Sequence, residues 1–279
     1  MKKTYWIASY PKSGNTWLRI FLNNLLHDDN EPVCINDLPV HNIIASARLP
    51  FDLALGLKSS DLLPDEIACL RPRVDEILAQ ESPKKLFRKI HDAYFHTACG
   101  DPIISTRASA GVIYLIRNPL DVTVSYAHHY AISFDKAIQQ LGDRDNQLAF
   151  RPNGTSSQFS QMISCWSRHV RSWTEQTDIP VLVLRYEDLL ADPLTYFARA
   201  VHFAGLGADI EDIQAAIEAS RFDKLQSQEQ RERFKETPRG TSHFFRKGQA
   251  GDWRNHLNDA QIQEIVTKHG KMMEAHGYL

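Results

Sequence analysis

The chain has 279 residues, of which 43% are hydrophobic and 24% charged, proportions of an ordinary folded protein and far from the low-hydrophobicity, high-charge signature of disorder. Its 32 lysines and arginines stand against 34 aspartates and glutamates, a formal net charge of -2. That excludes a global basic field for tracking nucleic acid or anionic lipid and leaves room only for a local basic site. No apolar run approaches the roughly 18 residues of a membrane span, and the apolar start is broken at Tyr10-Pro11-Lys12-Ser13-Gly14, too early for an export signal. The four cysteines, at 34, 69, 99 and 165, form no CxxC pair. Neither a zinc ribbon nor a disulfide scaffold is expected from them, and a reducing, cytoplasmic location is.

Short apolar runs alternate with helical patterns, which predicts an α/β protein built on a mainly parallel sheet. The expected strands are Tyr5 to Ser9, Leu86 to Ile90, Val112 to Ile116 and Val181 to Leu184. After the first, Leu18, Phe21, Leu22 and Leu25 repeat at the spacing of one helix face. After the third, Asn118 is placed to cap a helix that begins at Pro119, where a missing amide proton costs nothing. Three stretches lack such order: about 28 to 64, about 134 to 160 with Pro152-Asn153-Gly154, and about 224 to 250, dense in charge and glutamine. Long loops in a compact α/β protein are often lids or binding loops.

Tyr10-Pro11-Lys12-Ser13-Gly14-Asn15-Thr16-Trp17 joins the first strand to its helix. Exposed amides at a helix start with a lysine beside them suit an anion, and an ordinary strand-to-helix turn is the alternative. It is not a Walker A loop, because the lysine precedes the glycine instead of following it. In an open parallel sheet, ligands bind beyond the carboxyl edge. Each expected strand ends there in polar residues: Lys12 from the first, Lys89 and His91 from the second, Arg117 from the third, Arg185 and Tyr186 from the fourth. The segment from Phe245 to Asn255 adds Arg246, Lys247 and Gly248. Together these cations suit a ligand with more than one phosphate group.

On these motifs the sequence resembles the cytosolic-type sulfotransferases, which use 3′-phosphoadenosine 5′-phosphosulfate (PAPS) and release 3′-phosphoadenosine 5′-phosphate (PAP). Residues 10 to 17 look like the family's 5′-phosphosulfate loop. The run from Tyr114 to Ser125 looks like its 3′-phosphate strand and helix, and Arg246-Lys247-Gly248 through Gly251-Asp252-Trp253 is similar to its C-terminal signature. The resemblance spans nearly the whole chain. It implies one domain over 1–279 with a central, mainly parallel sheet flanked by helices in a P-loop-like, nucleotide-binding arrangement.

The resemblance implies further that Lys12, Ser13, Gly14, Asn15 and Thr16 hold the 5′-phosphosulfate end and that Trp17 stacks on adenine. Asn15 stands where threonine is commoner. Arg117, Ser125, Arg246, Lys247 and Gly248 grip the 3′-phosphate, Tyr186 meets the adenine edge, and Phe222 closes its other face. Ser220 occupies a position that is usually threonine. Lys89-Ile90-His91 resembles the family's Lys-Thr-His triplet, with His91 the general base for an acceptor hydroxyl and Lys12 and Lys89 stabilising the charge that builds in transfer. Residues 89 and 91 of a strand share a face.

A sulfuryl group carries less negative charge than a phosphoryl group, and metal-independent catalysis is expected. Phe51, Leu53, Leu57, Tyr94, Phe95, Tyr130 and Phe134 point to an apolar or aromatic small-molecule alcohol, or else to core packing. A bound metal at His128-His129 or at His96 with Cys99 is the less favoured reading beside solvated or capping roles. The family's usual C-terminal dimer motif is not matched between Arg254 and Gln263, which leaves the oligomeric state open. The alternatives are a nucleoside or small-molecule kinase on a P-loop-like scaffold and a noncatalytic nucleotide-binding protein.

Overall fold

The computed structural model describes residues 3–27, 32–38, 44–151, 156–238 and 240–279. Its elements run in chain order β1 (Thr4–Ser9), α1 (Asn15–Leu26), α2 (Arg48–Leu55), α3 (Pro64–Glu81), β2 (Leu86–Ile90), β3 (Ser109–Ile116), α4 (Pro119–Tyr130), α5 (Phe134–Gly142), β4 (Gln147–Leu148), β5 (Gln161–Met162), α6 (Trp166–Thr174), β6 (Val181–Arg185), α7 (Tyr186–Ala191), α8 (Pro193–Phe203), α9 (Ile210–Ala219), α10 (Phe222–Arg231) and α11 (Asp259–Ala275). The four expected strands form one sheet in the order β2-β1-β3-β6. β1 and β2 pair in parallel, Thr4 opposite Leu86 and Ala8 opposite Ile90. The chain leaves β1 for β2 on one side and returns to β1's other side as β3. Strand order therefore reverses between β1 and β3, the place where α/β sheets bind ligands beyond their carboxyl ends.

The chain falls into two compact units, Met1–Tyr10 with His41–Tyr114 and Asp143–Val183, and Pro11–Val40 with Leu115–Gly142 and Leu184–Leu279. In the first, Phe51, Ile67, Val74 and Phe159 form a core cluster. Phe51 therefore packs in the interior, while Leu53 is among the exposed apolar side chains. The buried face of α3 also carries charge: Arg71 makes a bidentate pair with Asp92 at 3.1 and 2.8 Å, and Asp75 pairs with Arg88 and accepts the Ser105 amide. Pairs this deep hold register, since removing either partner strands a buried charge.

Cys69 on α3 is joined to Cys99 by a disulfide that closes 30 residues of chain. The cysteine spacing predicts no disulfide scaffold, yet one bridge is present, because sequence separation says nothing about which thiols a fold brings together. Cys34 and Cys165 are free. Restricting a loop of this length in the unfolded chain stabilises the fold by about 3 to 4 kcal/mol. Cys99→Ser should lower the thermal midpoint accordingly, and dithiothreitol should bring the parent protein down to the variant's value. Equal midpoints without reductant would show that the bridge contributes nothing in solution.

In the second unit, Phe21 of α1 stacks on Phe197 of α8 with ring centroids 4.1 Å apart, and Ile20, Ile35, Leu225, Phe234 and Phe245 form a core cluster. Asn118 caps α4 as expected, its side chain accepting the Leu120 amide at 3.0 Å. The stretches expected to be irregular contain short elements: α2 in the first, α5 and the β4-β5 pair in the second, α10 in the third. Pro152-Asn153-Gly154 lies outside the described residues. Within the charged run, Glu229 is buried and its carboxylate accepts the Phe244 and Phe245 amides and the Thr237 hydroxyl.

Candidate active site

In the second unit the loop after β1 turns sharply. Lys12 has φ of 72° and Gly14 φ of 100°, the left-handed region that a side chain tolerates poorly. A Cβ at Gly14 would stand 2.8 Å from Cδ2 of Tyr186, so glycine is needed there for space as well as for conformation. Asn15 and Thr16 open α1, at the helix end whose first amides have no partner within the helix. The Ser13 side chain is fully buried, and its hydroxyl has no hydrogen-bond partner among the described residues. Lys12 Nζ lies 3.1 Å from His129 Nδ1 and 4.2 Å above the Phe244 ring.

Arg117, just beyond β3, ties three separate segments together. Its Nη1 donates to the Lys12 carbonyl at 3.1 Å, its Nη2 donates to the Gln249 carbonyl at 2.9 Å, and its guanidinium lies 4.2 Å over the Tyr186 ring. Its buried Nε has no partner among the described residues. The neighbouring Asn118 amide donates to Glu187, whose other oxygen accepts the Tyr278 hydroxyl at 3.1 Å. Arg185 turns to the C-terminal segment, bonding the Gly277 carbonyl at 3.0 Å and covering the Tyr278 ring. Of the two polar residues expected at the end of the fourth strand, only Tyr186 thus stands in this site.

The tail completes the basic cluster. Arg246 and Lys247 bind opposite oxygens of Asp252 at 2.6 and 2.7 Å, and His256 Nε2 lies 3.2 Å away. Burial pushes the Asp252 carboxyl up, but the bonds from Lys247, Arg246 and Asn255 outweigh it and hold the group well below the usual carboxylate range. Gly248 has φ of 62° and a Cβ there would collide with the Phe222 ring. Trp17 donates its indole N–H to the Ser220 carbonyl at 3.0 Å and meets Tyr186 and Phe197 edge-on. Ser220 supplies that carbonyl, while its own hydroxyl donates to the Ile217 carbonyl. Ser125 lies half-buried on α4. Lys12 to Trp17, Arg117, Ser125, Tyr186, Ser220, Phe222 and Arg246 to Gly248 all belong to this one unit.

Lys89 and His91 belong to the first unit. Lys89 is half-buried on β2, and its carbonyl accepts the Ala45 amide. His91 is buried with Nδ1 2.8 Å from the Ser9 carbonyl. A carbonyl only accepts, so Nδ1 carries the proton and Nε2 is left with the lone pair, the form of a base. The His91 carbonyl is held by His169 Nε2 at 3.0 Å, and His169 Nδ1 accepts the Tyr114 hydroxyl at 2.9 Å. Burial drives His169 down to about 3, against the opposing pull of its bond to the His91 carbonyl, and keeps that imidazole neutral. Asp92 follows, clamped by Arg71, by the Met162 amide and, at its carbonyl, by the Trp173 indole. His169, Asp92 and Arg71 escaped sequence reasoning; only the position of Asp92 beside His91 offered a signal.

The second unit thus pairs buried polar atoms that have no partner among the described residues with cations from three distant segments, an arrangement that suits a polyanion. A family model described as the sulfotransferase domain matches residues 2–275. The chain belongs to the sulfotransferase family, whose chemistry is sulfuryl transfer. It is 27% identical to sulfotransferase 1C2 of Rattus norvegicus over 263 residues, covering 91% of this chain and 78% of that protein. It is 26% identical to sulfotransferase 1A1 of Canis lupus familiaris, covering 97% and 83%. In fold it is similar to retinol dehydratase in complex with androsterone and inactive cofactor PAP, with a TM-score of 0.65 at 23% identity over 97% of this chain and 80% of that one. It is likewise similar to a mouse sulfotransferase complexed with PAP, with a TM-score of 0.62 at 18% identity over 98% and 85%.

Proposed function

We propose that the protein transfers the sulfuryl group of PAPS to the hydroxyl of an apolar small molecule, with residues 1–279 acting as one sulfotransferase domain. The observation that carries this reading is Arg117, whose bonds to Lys12 and Gln249 bring the donor loop, the end of β3 and the basic tail into one cluster. The residues present fit the nucleotide. Ser13 Oγ and Arg117 Nε are buried polar atoms with no hydrogen-bond partner among the described residues, and Gly14 and Gly248 leave no room for a side chain where backbone must approach a ligand.

In this assignment Lys12 to Thr16 hold the 5′-phosphosulfate end, and Arg117, Ser125, Arg246, Lys247 and Gly248 hold the 3′-phosphate. Trp17, Tyr186 and Phe222 enclose the adenine, with Ser220 fixing the indole of Trp17. PAPS supplies the activated sulfuryl group. His91 takes the acceptor's hydroxyl proton on Nε2, while the cationic Lys12 and Lys89 oppose the negative charge that grows on the leaving phosphate and the transferred oxygens. Positioning and electrostatics of this kind need no divalent metal. An apolar alcohol is the acceptor class assigned here; retinol dehydratase has been captured with retinol or androsterone beside PAP. No described helix is long and apolar enough to cross a membrane, and a cytoplasmic location is proposed from relatives such as the cytosolic sulfotransferase 1 of Danio rerio.

Calorimetric titration with PAP, ADP and magnesium ATP at one ionic strength tests the donor. Binding of PAP that is unchanged by EDTA and far tighter than that of ADP is the expected result. Preference for magnesium ATP would overturn the reading in favour of a kinase.

A further inference from the structure

Two carboxylates link the tail's two cations to α4. Asp121, in the first turn of α4 and almost wholly buried, accepts the Gly251 amide at 2.6 Å on one oxygen and the Trp253 amide at 3.1 Å on the other. Those amides flank Asp252, in a turn that Gly251 enters with φ of 81°. Asp252 in turn holds Arg246, Lys247 and Asn255 at 2.6, 2.7 and 3.2 Å, with His256 3.2 Å away. Each cation spends one donor on Asp252. Arg246 has five N–H groups and Lys247 three, so both keep donors for a second anion.

We propose that Asp121, four residues along the chain from Arg117, is a positioning residue for the 3′-phosphate: by clasping both amides beside Asp252 it fixes where Arg246 and Lys247 present their remaining donors. This rests on the assignment of the 3′-phosphate to Arg117, Arg246 and Lys247. A carboxylate is needed because two oxygens must each meet an N–H. An amide at 121 has one oxygen and turns its own N–H₂ against the other donor, leaving a buried amide unsatisfied. The turn that carries Asp252 then loses one of its two anchors on α4 and the two cations lose their exact register with Arg117, although the Gln249 carbonyl and the Phe244 and Phe245 amides stay held by Arg117 and Glu229.

Asp121→Asn, almost isosteric, should weaken PAP binding about tenfold and raise KM for PAPS with little change in kcat. Its affinity for adenosine 5′-phosphosulfate, which lacks the 3′-phosphate, should stay within about twofold of the parent protein. That second ligand doubles as the test of folding. Equal losses for both ligands would make Asp121 a purely structural residue and overturn the proposal, as would undiminished PAP affinity. The Arg246→Ala, Lys247→Ala double variant separates the levels. If it too binds PAP normally, the 3′-phosphate assignment falls and takes this inference with it; if it loses PAP while Asp121→Asn does not, only the role of Asp121 falls.

Discussion

His91→Ala is expected to lower kcat by about a hundred- to ten-thousand-fold, the usual contribution of a general base, while PAP affinity stays at the parent value. The size of the effect follows from how the imidazole is held. Its Nδ1 is committed to the Ser9 carbonyl, so the ring is locked in the tautomer whose Nε2 accepts a proton. Its backbone is pinned by His169 on one side and by the Arg71-Asp92 pair on the next residue. A residue used only for packing would take no part in the proton transfer. Its loss would lower stability and nucleotide affinity and leave the turnover of the folded fraction untouched. Single-turnover rates at saturating PAPS, beside calorimetric PAP affinity, distinguish the two. Unchanged turnover would end the assignment of His91 as the base.

Removing Arg246 and Lys247 together should cost the protein nearly all its preference for 3′-phosphorylated nucleotides. A hydrogen bond to a charged group contributes about 1.5 to 3 kcal/mol. Two such bonds correspond to about a hundred- to ten-thousand-fold in Kd. The loss should appear against PAP and PAPS and vanish against adenosine 5′-phosphosulfate, because only the 3′-phosphate meets these side chains. Higher salt should weaken PAP binding to the parent protein more than to the variant, since fewer charged contacts remain to be screened. An equal loss with both nucleotides would mean that the tail shapes the whole site instead of gripping one phosphate.

Much of this architecture was readable from residues alone, for identifiable reasons. Strands announce themselves through short apolar runs, and Asn118-Pro119 marks a helix start through chemistry confined to adjacent residues. The Lys12 to Trp17 loop and the Arg246 to Trp253 segment are contiguous, so their chemistry shows in a string. The features that escaped are those in which partners lie far apart in sequence. Asp121 clasps amides 130 and 132 positions away, and nothing around it in the sequence marks it as more than a helix N-terminal acid. Glu229 sits in a run of charge and glutamine that reads as solvated, yet it is buried because three donors converge on it. His169 has no local motif at all, and Cys69 meets Cys99 only because α3 packs beside the segment that follows β2.

Tyr186 and Phe222 each rest on a glycine, at 14 and 248, with no space for even one additional carbon. In evolutionary terms, each aromatic ring and its glycine are free to change only together. A lineage that drifts to alanine at 248 must first surrender the ring at 222, and one that enlarges residue 14 must first surrender the ring at 186. Diversification of this enzyme should therefore be written in the surfaces that meet the acceptor, while these two pairs persist as a record of descent.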